Sequence, residues 1–334
     1  MSEIHAQSSS KLEQILIAKV CEPALSLIPR QVHPNTISLV NHLLWWVYAG
    51  LAYWAWNLEP VGRTLALVGA GIGLFFTMVG DCLDGMQARR TKRCSKLGEL
   101  MDHGLDALAV PLTTIGITFA LQLPAWAAAP VHVFTAMVYN AQLVLYHHTG
   151  HFVHPRTSGT VCQAGASIGY VALAICFWFF DRSLPWVDLA VGALGIIAII
   201  AQLQYLAFYY GMLKKLVWHH LPSMLLCGGF AALYLNGIID TLAFLMTVAL
   251  VSFRMSGSYV LFTIIKRPFN GFDIGIAMWA VAIALAHFFV APMSVGGNSL
   301  HNLLPYLACA YMAARNLIDF ARHFSALSPT SQTA

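Results

Sequence analysis

The chain has 334 residues, 58% of them hydrophobic and 10% charged, with a mean hydropathy of +0.68 and a formal net charge of +4. Soluble domains carry about 25% charged residues, so the composition excludes a water-soluble enzyme. So small a positive surplus also excludes a nucleic-acid binder, whose basic residues would cover a face.

The N-terminal stretch MSEIHAQSSSKLEQ is polar and lacks an apolar core, so no removable signal peptide is expected there. Residues 11–30 mix Leu12, Ile15, Leu16 and Val20 with Lys11, Glu13 and Lys19, the pattern of an amphipathic helix lying in a membrane interface. A Pro34-Asn35 turn follows. A hydrocarbon core about 30 Å thick needs roughly 20 apolar residues per crossing helix. Such runs lie near 36–56, 64–80, 100–121, 125–145, 164–180, 189–210, 222–236, 241–263, 274–291 and 302–323. The seventh is short and interrupted by Gly228 and Gly229, which leaves nine spans open. The expected fold is an all-α integral membrane protein of about ten transmembrane helices, one polytopic domain over 1–334. Within it, 36–145 hold the first four spans, 146–323 the rest, and 324–334 a disordered tail.

With ten spans and both termini on one side, 14 of the 18 basic residues fall on that side, counting Arg322 at the inner end of the last span. Arg63 and Arg182 lie opposite, and Arg254 and Arg315 lie within spans. The positive-inside rule makes the rich side cytoplasmic. The seven cysteines are odd in number and scattered, and read as small apolar residues rather than disulfide or zinc ligands.

Charge is concentrated as well as scarce. Five of the 14 acidic residues (Asp81, Asp84, Glu99, Asp102 and Asp106) fall between 81 and 106. Asp81 and Asp84 close one span at i, i+3, and Asp102 and Asp106 open the next at i, i+4, so each pair shares a helix face. A basic loop of 15 residues is expected between the two helices. Gathered carboxylates repel one another, and each costs about 2.5–3.5 kcal/mol at mid-membrane. All-oxygen ligands favour hard divalent cations, Mg²⁺ or Mn²⁺, over zinc. Two such ions about 3.5–4 Å apart would clamp a phosphate and stabilise a leaving oxyanion. Gly85, Ala88, Gly98 and Gly104 leave room for a ligand beside the backbone, and Arg89 supplies a phosphate donor.

The pattern Asp81-x2-Asp84-Gly85-x2-Ala88-Arg89-x8-Gly98-x3-Asp102-x3-Asp106 resembles the complete signature of the CDP-alcohol phosphotransferase family. The wording around it (Gln87-Ala88-Arg89-Arg90-Thr91, Leu97-Gly98-Glu99-Leu100 and Asp102-His103-Gly104-Leu105-Asp106) is most similar to the choline/ethanolamine phosphotransferase branch. His33-Pro34-Asn35-Thr36-Ile37-Ser38 resembles that branch's PNxIT segment, with Ser38 where threonine is usual. The resemblance implies transfer of a phospho-alcohol from CDP-ethanolamine or CDP-choline to diacylglycerol, with release of CMP, in phospholipid synthesis. It implies metal ligation by Asp81, Asp84 and Asp102, with Asp106 completing the site or acting as base. Gly85, Ala88, Arg89, Gly98 and Asn35 would bind the nucleotide, and His103 stands where that branch has its proposed base. An imidazole titrating near about 6.5 suits proton removal at neutral pH better than a metal-bound carboxylate, which favours His103 as base and Asp106 as ligand, with Asp106 as base the alternative. The resemblance further implies a homodimer, in the endoplasmic reticulum or Golgi of a eukaryote or the inner membrane of a bacterium.

Two competing functions share these residues. A CDP-diacylglycerol donor with a soluble acceptor, inositol or glycerol phosphate, reverses the substrate roles. A divalent-cation transporter would use the acids as an ion path. Against it, the later Asp188, Asp240, Asp273 and Asp319 lie near span ends and form no second cluster across the bilayer. Outside the motif, His147, His148, His151 and His154 offer either a soft-metal site or the lining of a substrate pocket. The branch's glutamates around this loop are absent, and Gln163, Tyr139, Tyr146 and Trp178 are the candidate substitutes. Arg254 needs a partner inside its span, either a ligand phosphate or another helix. Arg315 and Asp319 are spaced for an ion pair, and His219 and His220 for contact with lipid head-groups.

Overall fold

A computed structural model of the chain describes residues 11–153, 159–180, 184–269, 273–289, 294–295 and 298–327. His154, Arg156, Arg182 and the tail beyond 327 lie outside the described residues.

The N-terminus folds as α1 (Lys11–Leu16), a π-helical turn (Ile17–Cys21) and α2 (Glu22–Leu27). Ten longer helices follow: α3 (Pro34–Trp54), α4 (Pro60–Thr91), α5 (Lys96–Leu121), α6 (Ala125–Thr149), α7 (Gly159–Phe179), α8 (Pro185–Leu213), α9 (Val217–Leu235), α10 (Thr241–Ile264), α11 (Ile274–Phe289) and α12 (Leu300–Leu327). Two-residue strands β1 (Ser294–Val295) and β2 (Asn298–Ser299) pair antiparallel just before α12. Six stretches among the described residues are long and apolar enough to cross a membrane: α4, α5, α6, α7, α8 with α9 taken together, and α10. The chain is therefore a helical membrane protein.

Local sequence sets the helix ends. His33 caps α3 by accepting from the Asn35 amide at 3.2 Å, and Pro34 follows where its missing N–H costs nothing. Asp240 caps α10 from the Ala243 amide at 2.8 Å. Gly150 ends α6 at φ +72°, a left-handed conformation that glycine adopts without strain. Gly228 and Gly229, expected to interrupt the seventh span, do not: α9 runs through both, and the space above each α-carbon is open. Residues 324–327 continue α12 as helix.

The packing divides into two compact units, Met1–Asp102 with Gly116–Gln122 and Val153–Val191, and His103–Ile115 with Leu123–Phe152 and Gly192–Ala334. In the first, α4 packs along α3 and α7. Tyr48, fully buried, meets Tyr170 hydroxyl to hydroxyl at 2.7 Å. Met78, Val79, Leu83 and Ala164 form a cluster against which Leu16, Val20, Leu25 and Ile28 of the N-terminal segment pack. The end of α2 is held by polar bonds as well. Arg90 donates to the Leu25 and Ile28 carbonyls at 2.8 and 2.7 Å, and Gln87 to those of Pro29 and Val32 at 3.1 and 2.8 Å. These carbonyls include ones left without partners at a helix C-terminus.

In the second unit α6 packs against α9 and α10, and α10 against α12. Buried polar side chains here pair internally, as a dry core requires. His132 bridges Thr114 and the Leu245 carbonyl, and Asn140 meets Ser256 and Ser223. Two expectations are corrected. Arg254 finds helix partners: its Nε lies 3.0 Å from Asp273 and its Nη1 2.5 Å from Asp319. Asp319 therefore pairs with Arg254 and, at 3.7 Å, with Arg322, and the expected bond to Arg315 does not form. A second carboxylate at the inward-facing Arg254 helps offset a buried charge, whereas a pair along α12 would leave Arg254 with Asp273 alone. His220 does not meet head-groups either. It is fully buried, bonded to the Met137 carbonyl and the Tyr210 hydroxyl, each at 3.0 Å.

Gly116 tests the packing of the first unit. A Cβ there would stand 2.3 Å from the Tyr48 hydroxyl, so Gly116→Ala displaces a buried ring. Equilibrium unfolding in mixed micelles should show Gly116→Ala destabilised by about 1–3 kcal/mol. Gly165→Ala, inside α7 where nothing lies within 4 Å, should be no less stable than the unsubstituted protein.

Candidate active site

The motif lies on two helices joined by a tight turn. The sequence led us to expect a basic loop of 15 residues between them, but α4 extends to Thr91 and α5 begins at Lys96. Gln87, Ala88, Arg89 and Arg90 are good helix formers, and a single glycine at 85 costs only about 1 kcal/mol, so the helix continues through the motif. Lys92 then closes α4 in the left-handed region at φ +56°, with the Arg93 amide bonded to the Ala88 carbonyl at 2.9 Å. Ser95 opens α5, its Oγ accepting from the Gly98 amide at 3.0 Å. Gly85, Ala88 and Arg89 are thus helical residues.

Within the first unit, Asp84 is buried and held from two sides. Ser38 Oγ donates to one carboxylate oxygen at 2.6 Å, and the Gly85 amide to the other at 2.6 Å. Asp81, one turn earlier, interacts electrostatically with Asp102 and Asp84, and Asp102 in turn with Arg89 and Glu99. Arg89 is exposed, and its guanidinium folds back so that a Cβ on Gly85 would lie 3.4 Å from Nη1. Asn35 and Gly98 also meet: a Cβ on Gly98 would stand 3.4 Å from the Asn35 Oδ1 and 3.3 Å from the Ser95 Oγ. A side chain at 85 or 98 would crowd the groups that the motif places beside these positions.

On α5 itself, Asp102, His103 and Asp106 each offer a ligand atom, and the three atoms lie within 4.8 Å of one another. Positions i, i+1 and i+4 converge because i and i+4 share a face and the imidazole reaches round from the adjacent row. Two carboxylate oxygens and one imidazole nitrogen form a donor set suited to Mg²⁺, Mn²⁺ or another divalent ion. The expected ligands Asp81 and Asp84 are not in this set, and His103, expected as a base, is. The His103 ring stacks on Phe152 at 4.4 Å between centroids, with Tyr146 edge-on at 6.2 Å. Tyr139 donates to the His103 carbonyl at 2.8 Å.

Sequence alone gives Phe152 no role, and it names Ser38, Gln87 and Arg90 only as part of the motif wording, without the partners they find here. The signal for Ser38 was present: it lies three residues after Asn35, one helical turn along α3. Phe152 offered none, because a phenylalanine in an apolar chain is ordinary. Trp178 is exposed and Gln163 half-buried, both on α7.

Residues 31–201, just over half of the chain, match the family model for CDP-alcohol phosphatidyltransferase. The chain belongs to this family. It is also similar to proteins named cholinephosphotransferase 1. The identity is 28% to that of Xenopus laevis over 196 residues, covering 53% of this chain and 45% of the relative. It is 36% to that of Mus musculus over 106 residues (30% and 27%) and 37% to that of Homo sapiens over 109 residues (30% and 26%). The chain spans less than half the length of these curated relatives. For this family member, the Asp84 bond is open to test. Ser38→Ala removes a buried hydrogen bond to a carboxylate and should lower unfolding free energy by about 1.5–3 kcal/mol. Ser38→Thr, which keeps the hydroxyl, should restore most of it.

Proposed function

We propose that the chain transfers phosphocholine or phosphoethanolamine from the CDP-alcohol to the hydroxyl of diacylglycerol, releasing CMP. The observation that carries this reading is the convergence of the Asp102 and Asp106 carboxylates with the His103 imidazole on one turn of α5, which continues the Asp81–Arg89 signature. The named relatives support a choline head-group.

In this reading Asp81, Asp84, Asp102 and Asp106 would hold two divalent ions, Mg²⁺ or Mn²⁺, between them. When bound, the ions supply positive charge to the pyrophosphate oxygens and to the departing CMP. Arg89 donates to a phosphate oxygen. Gly85, Ala88, Gly98 and Asn35 leave the nucleotide a path close to the backbone. His103, or Asp106 in its place, takes the proton from the diacylglycerol hydroxyl. The alcohol oxygen forms the new bond to phosphorus while the bond to CMP breaks and CMP leaves with the electron pair. Phe152 and Tyr146 keep the His103 imidazole in place, and the Tyr139 hydroxyl holds the backbone beneath it.

We further propose that the ten long helices make ten crossings, with both termini and the motif on the cytoplasmic side. The α1–α2 segment lies in the interface, where Leu12, Ile15 and Leu27 are exposed for lipid. The 32 residues of α4 measure about 48 Å, longer than a core of about 30 Å, so its motif end reaches the surface where a nucleotide can bind. Diacylglycerol would arrive laterally, and two copies would associate in the membrane of the endoplasmic reticulum, Golgi or bacterial cell.

The test is CMP release by purified protein in nanodiscs containing diacylglycerol and Mg²⁺. CDP-choline or CDP-ethanolamine should release CMP, and Asp102→Asn should lower the rate by about 10²–10³-fold. Release from CDP-diacylglycerol with inositol alone, or from no donor, would contradict the proposal.

A further inference from the structure

The histidines at the end of α6 have no part in the proposed reaction. Within the second unit, the His147 and His148 ring centroids are 5.1 Å apart, and those of His148 and His219 are 4.5 Å apart. Hydrogen bonds decide which nitrogens carry protons. The Val144 carbonyl only accepts, so His148 Nδ1, 2.9 Å away, is its donor. Thr263 gives its single hydroxyl proton to the Tyr259 carbonyl at 2.6 Å. His147 Nδ1, 2.8 Å from the Thr263 Oγ1, must therefore donate too. In the neutral ring each histidine is left with a lone pair on Nε2. Tyr259 holds the third member: its hydroxyl donates to the His219 carbonyl at 2.7 Å, and its ring stands edge-on to His147.

An Nδ1–H fixed on a carbonyl or hydroxyl, with Nε2 bare, is the arrangement that outer-shell partners impose on metal-binding histidines. Zinc–nitrogen bonds of 2.0–2.1 Å at tetrahedral angles place neighbouring imidazole centroids about 5 Å apart. We propose that His147, His148 and His219 bind a transition-metal ion of the zinc class, at a site separate from the aspartates. Imidazole-only ligation selects zinc, copper or nickel over Mg²⁺. As they stand, the three nitrogens do not all lie within 4.8 Å of one another. Closing the set requires the His219 ring to turn while the Nδ1 bonds of His147 and His148 stay in place, and water fills the fourth position. The nearby Lys214 and Lys215 are exposed, so solvent screens their charge. A bound ion would tie the end of α6 to the start of α9 and stabilise both by mass action.

The test uses the full chain in nanodiscs, stripped with EDTA and titrated with Zn²⁺ in excess Mg²⁺, which occupies the oxygen-rich site. Zinc retained after gel filtration and the thermal midpoint are read together. The unsubstituted protein should retain one zinc per chain and show a higher midpoint. His148→Ala, a change at an exposed position, should bind about 10–100-fold more weakly, as should His219→Ala, while Asp102→Asn retains zinc. Absence of retained zinc, equal retention in His148→Ala, or loss in Asp102→Asn would overturn the proposal.

Discussion

Mutual repulsion among carboxylates in an apolar chain is the constraint on which the rest of the structure depends. Two unit charges 4 Å apart interact about four times more strongly at an effective dielectric of 20 than in water. Asp81 feels both Asp84 and Asp102, so the fold must hold them against repulsion and bring positive charge or donors to them. It does so with the turn between α4 and α5, closed by Lys92 and opened by Ser95. That turn fixes the end of one helix against the start of the next.

The surrounding contacts serve the same end. Asp84 is the most buried of the motif aspartates, and it receives a hydroxyl from α3 and an amide from its own helix. Gln87 and Arg90, one turn further, bond α4 to the carbonyls ending the N-terminal segment. The motif helix is thereby anchored at Asp84 and again one turn beyond it. Elsewhere, Arg254 follows the same rule of pairing a charge inside an apolar region, with Asp273 and Asp319 as its counter-ions.

Much of this was legible in the chain. Apolar runs gave the positions of the ten long helices, since segments that bury or face lipid must be apolar over their length. The acidic spacing placed Asp102 and Asp106 on one face of α5, and three atoms of that turn do converge. The connection was misjudged because the Arg and Lys run looked like a solvated loop. Charge tells which residues meet water, not whether the backbone is helical, and Arg90 uses its charge to bond carbonyls. Arg315 and Asp319 were spaced correctly for a pair, but spacing on one helix cannot reveal a competitor on another. His220 was read as interfacial beside Lys214 and Lys215, yet it turns inward, where the Met137 carbonyl and Tyr210 receive it. Long-range partners such as Ser38 for Asp84 and Phe152 for His103 leave no periodic trace.

The account rests on the claim that the aspartates exist to hold a divalent cation. Electron paramagnetic resonance of Mn²⁺ titrated into the purified chain, beside the Asp102→Asn variant, tests this without any assumption about substrate. The account predicts saturable Mn²⁺ binding that Mg²⁺ displaces and that weakens at least about tenfold in the variant. Equal binding to both proteins would contradict it.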